Sequence, residues 1–303
     1  MKQASPREDH LSKGSDVSPA ESLVAGSISG AVARAITAPM DTIKIRLQLQ
    51  HSQKQHISGS QTVMNLLKKE GIKALWKGNV PAEILYILYG ASQFTSYSYL
   101  NTHLRELQNS WNFNISPSFH TFIVGCGAGL TSTAVTYPFD LLRTRLAASE
   151  AKNFLSMTKV AKHLHEEKGI LGFFAGIRPS LLSIIASSGL FFWSYSLARA
   201  ATNRIYDKFG FQVWGVEAVC GFTAGTTAKG ITFPLDTLRK RMQMDSSRSG
   251  LQLFLTNLRQ HGILGFYRGF LVSLMKSAPS SAISVFVYEY SINFTRKARL
   301  LVQ

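Results

Sequence analysis

Long apolar stretches alternate with short basic, polar ones along the whole chain. Ile84 to Leu104, Phe113 to Phe139 and Pro179 to Leu197 contain no Asp, Glu, Lys or Arg. Each is long enough to cross a hydrocarbon core of about 30 Å at about 1.5 Å per residue. Residues 21–48 read as a further apolar helix, and 79–104, 177–199 and 270–294 read as the second helix of three successive pairs. The pattern therefore predicts six membrane-crossing helices. The polar connections have their own periodicity: Val63, Leu66, Leu67 and Ala74 share one side of an amphipathic segment. Such a segment suits a helix lying along a membrane surface.

A threefold repeat underlies the pattern. Pro39-Met40-Asp41-Thr42-Ile43-Lys44-Ile45-Arg46 returns as Pro138-Phe139-Asp140-Leu141-Leu142-Arg143-Thr144-Arg145, and again as Pro234-Leu235-Asp236-Thr237-Leu238-Arg239-Lys240-Arg241. The prolines are 99 and 96 residues apart. A fixed period of this length marks homologous structural units, here 21–110, 111–208 and 209–303 after a polar tail, 1–20, that reads as disordered. A proline inside a helix removes a backbone hydrogen bond, so Pro39, Pro138 and Pro234 should bend three equivalent helices. Glycine pairs four apart (Gly26 and Gly30, Gly125 and Gly129, Gly221 and Gly225) precede the prolines at constant offsets. They read as sites of close helix packing. After each basic connection comes glycine, four residues, an aromatic, one residue, glycine: Gly71 to Gly78 through Trp76, Gly169 to Gly176 through Phe174, and Gly262 to Gly269 through Tyr267.

Composition sharpens this into a polar-lined membrane protein. Hydrophobic residues make up 45% of the chain, yet mean hydropathy is only +0.04, as expected where helices line a wet cavity. The net charge of +16 points to anionic partners. Nucleic acid fits poorly, because the bases are interleaved with membrane-length apolar runs. The connections 44–77, 143–178 and 239–268 hold 20 Lys and Arg, against 4 in the linkers 99–117 and 199–217. By the positive-inside rule, the first set faces the negative compartment and both termini face the other side. Cys126 and Cys220 lie in apolar patterns and read as packing residues, with no metal site. No Ser-His-Asp arrangement, zinc spacing or phosphate-binding loop is visible, which argues against an enzyme. No cofactor is called for.

Three copies of Pro-x-Asp-x-x-Lys/Arg-x-Lys/Arg, each followed by the glycine–aromatic–glycine segment, resemble the mitochondrial carrier family over residues 20–297. The resemblance implies an all-α protein of the mitochondrial inner membrane, with both termini facing the intermembrane space. It implies six transmembrane helices forming a barrel, short surface helices on the matrix side, and alternating access to one central site in a monomer. Membrane phospholipid, cardiolipin included, is a further implied partner. It also implies a matrix gate of ion pairs: Asp41 with Arg143, Asp140 with Arg239, and Asp236 with Lys44, braced by Gln48 and Gln243, while Ala147 breaks the pattern. The cytoplasmic gate motif of the even helices is degraded, reading Tyr97-Ser98-x-x-Asn101, Tyr195-Ser196-x-x-Arg199 and Tyr288-Glu289 followed by Asn293. A gate with so little charge suggests uniport beside exchange.

A charge inside a membrane helix is a functional candidate by default. Arg34 and Lys229 each lie five residues before a motif proline, with Thr133 in the same place of the second repeat. In the family this position faces the central cavity, and Lys276 falls near a third contact point. Snorkelling to a headgroup is the other reading of Lys276. The implied contact points are Leu85 with Tyr86, Ser183 with Ile184, and Lys276 with Ser277. Tyr89 and Gln93 follow on the face of Leu85. The tyrosines suit either stacking on a cationic ring or packing, and Glu83 suits either an aminopyrimidine or a neighbouring base. Within the family, AITAPMDTIKIRLQLQ, YGASQFTSYS, TYPFDLLRTRLAA and LMKSAPSSAISVFVYE most resemble the branch that carries thiamine pyrophosphate. Carriers of another phosphorylated cofactor or nucleotide, and a carrier-fold receptor that transports nothing, remain as alternatives. The triple-arginine, triple-methionine run of the ADP/ATP exchanger is absent: Leu238-Arg239-Lys240-Arg241-Met242-Gln243-Met244 stands there.

Overall fold

A computed structural model describes residues 19–49, 59–111, 115–150, 155–209, 216–245 and 247–302. The expected tail over 1–20 therefore falls almost wholly outside the described residues. Among them are nine α-helices and no strand. The first repeat supplies α1 (Pro19–Leu49), the short α2 (Gly59–Glu70) and α3 (Asn79–Trp111). The second supplies α4 (Pro117–Ala148), α5 (Met157–Lys168) and α6 (Ile177–Phe209), and the third α7 (Val216–Met244), α8 (Gly250–His261) and α9 (Phe270–Val302). Each repeat thus gives a long, a short and a long helix. A five-residue 3-10 helix joins the short one to the second long one: Ile72–Trp76, Ile170–Phe174 and Ile263–Tyr267. The windows 170–204 and 263–294 are apolar and long enough to cross a membrane by hydropathy alone.

The described chain forms two compact units, 39–274 and the two chain ends, 19–38 with 275–302. In the larger unit α3 packs along α4, and α6 packs along α7. Pro39, Pro138 and Pro234 lie inside α1, α4 and α7. A threonine two residues before each proline, Thr37, Thr136 and Thr232, donates its hydroxyl to the carbonyl one turn earlier. That back-bonding favours a bend, and the threefold Thr-x-Pro repeats it.

The glycine–aromatic–glycine segment now has a physical reason. All six of its glycines adopt positive φ, between 62° and 82°, which costs other residues about 1–3 kcal/mol. They switch the chain into and out of each 3-10 helix. The second glycine of each trio meets the next repeat closely. A Cβ on Gly78 would lie 2.6 Å from the Arg143 carbonyl oxygen, one on Gly176 3.0 Å from that of Arg239, and one on Gly269 3.2 Å from that of Lys44. Aromatic and hydroxyl groups fix the same segments. Tyr137 stacks on Phe174 and Phe233 on Tyr267. Thr42 and Thr237, which follow the motif aspartates, donate to Leu75 O at 2.8 Å and Phe266 O at 2.6 Å.

Candidate functional site: an ion-pair layer beneath a polar cavity

The motif acids and first bases lie on successive helical turns after the proline, so one face of each motif helix carries both. Asp41, Asp140, Asp236, Lys44, Arg143 and Arg239 all line one small cavity of about 170 Å³. The three expected pairs are not equivalent within it. Arg143 Nη2 reaches Asp41 Oδ2 at 2.5 Å. Arg239 Nη2 reaches Asp140 Oδ2 at 2.5 Å, and Lys240 Nζ reaches the same oxygen at 3.0 Å. Among the described residues no ion pair joins Asp236 to Lys44. The Lys44 ammonium instead sits 5.4 Å from the centre of the Phe233 ring, a cation–π arrangement, and Asp236 accepts from the Ser183 hydroxyl at 3.3 Å.

The glutamines also differ. Gln243 Nε2 donates to Asp140 Oδ2 at 2.5 Å, while its Oε1 accepts from Lys240 at 3.2 Å. Gln48 Nε2 points to Thr237 Oγ1 at 3.4 Å and touches none of these pairs. Lys240 was legible only as a third base in the third motif, where the other copies carry Ile45 and Thr144; its ammonium bonds that Thr144 at 2.7 Å.

The second motif bases do something the sequence did not announce. Arg46 Nε donates to Ala147 O at 3.0 Å, Arg145 Nε to Gln243 O at 3.1 Å, and Arg241 Nε to Gln48 O at 3.2 Å. Each acceptor is the residue nine after the proline in the next repeat. A cation at a helix C-terminus meets free carbonyls and the negative end of the dipole, so these arginines tie the three motif helices in a cycle. In the first repeat Arg46 also binds Glu70, which Lys77 binds in turn. Burial pushes the Glu70 carboxyl up, but the hydrogen bonds from Arg46 and Lys77 outweigh it and hold the group below its ordinary range.

Adjoining this layer, α6 and α7 line an open cavity of about 520 Å³. Its lining includes Ser183, Ile184 and Lys229, which the sequence singled out, together with Ser180, Ser187, Phe191, Asp236 and Arg239. The structure thus brings Ser183, Ile184 and Lys229 to one place. Tyr89 hydrogen-bonds Thr133 on α4, and a Cβ on Gly129 would touch both the Tyr89 hydroxyl and Ile184. Leu85 is half-buried, whereas Tyr86 and Gln93 are exposed; none of the three lines this cavity. Arg34 and Lys276 are half-buried and Ser277 is exposed, all three in the chain-end unit. Of the degraded even-helix motif, Arg199 Nη1 lies 3.4 Å from the Tyr195 hydroxyl and 3.7 Å from Glu217. Tyr97 and Glu289 are exposed and Tyr288 is half-buried. Asn101 Oδ1 instead meets the His120 ring at 2.9 Å.

Three repeats, an ion-pair layer and a polar cavity define a solute carrier. The profile of mitochondrial carrier proteins matches residues 15–108, 115–205 and 212–299. The chain belongs to the mitochondrial carrier family, whose members are transporters of the mitochondrial inner membrane. It is 55% identical over 301 residues to a Candida albicans protein named mitochondrial thiamine pyrophosphate carrier 1, covering 97% of this chain and 98% of that one. A Meyerozyma guilliermondii protein of the same name is 56% identical, with 96% and 99% covered. One from Saccharomyces cerevisiae is 37% identical, with 95% and 98% covered.

Proposed function

We propose that this chain carries thiamine pyrophosphate across the mitochondrial inner membrane into the matrix by alternating access. The observation that carries the reading is the 520 Å³ cavity, where a lysine, a serine-rich wall and Phe191 face one space above closed ion pairs. A diphosphate offers several anionic oxygens to bases and hydroxyls, and a thiazolium ring is drawn to an aromatic face. The relatives that share this chain's length carry that solute in their names. Lys229 takes the phosphates, with Arg34 and Lys276 as further bases, and Ser183, Ile184 and Ser277 as contact positions. Leu85, Tyr86, Tyr89 and Gln93 serve the ring end.

In this reading Asp41, Arg143, Asp140, Arg239, Asp236 and Lys44 form the matrix gate, with Gln243 as its brace. Gln48 braces a neighbouring threonine rather than a pair. Buried ion pairs gain little net energy because desolvation opposes attraction, which suits a gate that opens every cycle. Tyr97, Tyr195, Arg199, Tyr288 and Glu289 mark the cytoplasmic gate. Both termini face the intermembrane space, the chain acts as a monomer, and phospholipid such as cardiolipin surrounds it. The test is uptake of labelled thiamine pyrophosphate into liposomes holding the purified chain. Saturable uptake, competed by thiamine pyrophosphate and not by nucleotides, is expected. Uptake into liposomes with no internal substrate is expected too; its absence would remove uniport and leave exchange.

A further inference from the structure

Two donors on the cavity floor have no partner. Ser180 is 1% exposed, lines the 520 Å³ cavity, and its Oγ is buried without a hydrogen bond. Arg239 lines the same cavity, and its Nε is likewise buried and unpaired. Orphaned buried donors are rare and costly. Helix register brings the two to the same level of α6 and α7. Ser183 on α6 bonds Asp236 on α7, and Thr202 lies 3.7 Å from Cys220 further along the same pair, so the helices run antiparallel. Three residues back along α6 from Ser183 is Ser180, and three residues on along α7 from Asp236 is Arg239. Lys229 is ten residues before Arg239 on α7, about 15 Å at 1.5 Å per residue.

We propose that Ser180 and Arg239 form a second phosphate-accepting station on the cavity floor, beyond Lys229, where a phosphoryl oxygen takes both orphan donors and competes with Asp140 for Arg239. The proposal rests on the carrier reading above and deepens it. Arg239 lines both the large cavity and the ion-pair cavity, so an anion on the floor acts directly on the Arg239–Asp140 pair. Asp236 lines the floor as well and opposes an anion there. The station therefore holds the solute more loosely than Lys229 does, as a point of passage requires.

The test is calorimetric titration of the full-length, detergent-solubilised chain with inorganic pyrophosphate and, separately, with unphosphorylated thiamine. Ser180→Ala removes a hydroxyl that bonds nothing, so the variant is expected to fold with an unchanged or raised melting temperature. In a Lys229→Ala background, where the tighter station is gone, adding Ser180→Ala should weaken pyrophosphate binding about tenfold, the loss of one hydrogen bond to a charged group. Ser180→Cys keeps the shape with only a weak donor and should stay close to the alanine variant. Asp140→Asn removes the competitor for Arg239 and, in the same Lys229→Ala background, should tighten pyrophosphate severalfold. Thiamine affinity should not move in any variant. No change in pyrophosphate binding when Ser180→Ala is added to Lys229→Ala, equal losses for pyrophosphate and thiamine, or no pyrophosphate binding by Lys229→Ala alone would overturn the station. Labelled thiamine pyrophosphate uptake by the wild type is read in parallel: its failure alone withdraws the thiamine assignment and leaves the station standing.

Discussion

Glu70 receives three hydrogen bonds, two from Arg46 and one from Lys77, with its side chain only 4% exposed. The same two bases hold Ser149 O of the second repeat. Removing one partner of a buried pair strands the other charges, at about 3–5 kcal/mol. Glu70→Gln should therefore lower the melting temperature of the purified chain strongly, and no shift would show the clamp to be idle. The pH dependence follows from the depressed carboxyl. Its contribution is complete above the ordinary value of 4.5 and is lost as pH falls below that through the folded-state value. Glu70→Gln should erase that part of the acid-unfolding curve. The equivalent positions hold Lys168 and His261, so the same substitution there has no carboxylate to remove. At this scale the sequence was legible wherever an acid and a base kept a repeating offset. Asp41 with Arg143 and Asp140 with Arg239 followed from that. Lys44 makes no ion pair with Asp236 among the described residues and lies beside the Phe233 ring, and ring proximity leaves no mark in motif spacing. Ser180 was invisible for the opposite reason: one serine among several carries no pattern, and only its burial without a partner distinguishes it.

Six glycines set the geometry of the three connecting elements, and the two in each trio differ in what surrounds them. Gly71 and Gly78 have nearly equal φ, 81° and 79°, yet a Cβ on Gly71 meets nothing within 4 Å. Gly71→Ala should cost only the backbone strain, about 1–3 kcal/mol at φ 81° and ψ 173°. Gly78→Ala should cost clearly more, because backbone cannot move aside as a flexible side chain can. Across repeats the penalties should fall in the order Gly78, Gly176, Gly269, following 2.6, 3.0 and 3.2 Å. Thermal melts of the three alanine variants check the order, and equal shifts would mean the segments relax freely. The elements themselves were readable from periodicity, since apolar runs, amphipathic connections and punctuating glycines each have a distinct signature. Hydropathy alone picks out only the windows in 170–204 and 263–294. The other long helices spend a face on Ser, Thr, Gln and charge, which dilutes the average.

Across the larger unit, the three links around the ion-pair layer form a graded series. Asp140 holds two bases and a glutamine, Asp41 pairs with Arg143, and Asp236 accepts a serine hydroxyl and makes no ion pair among the described residues. Asp140→Asn should destabilise most, by about 3–5 kcal/mol for stranding buried charge. Asp236→Asn keeps an oxygen for the Ser183 hydroxyl and breaks no close ion pair, so it should cost about 1 kcal/mol or less. The contact between the second and third repeats would then be the last to open, and equal losses in the two variants would contradict that asymmetry. The sequence predicted three ion pairs with braces at Gln48 and Gln243 but not at Ala147; in the structure Lys240 and Gln243 both reinforce Asp140, while Gln48 turns to Thr237. The most direct measurement of the carrier reading is the initial rate of labelled thiamine pyrophosphate uptake into liposomes by wild type and Lys229→Ala. Saturable uptake by the wild type, reduced at least tenfold in the variant, is the expected result. Clear nucleotide exchange with no thiamine pyrophosphate uptake by the wild type would contradict it.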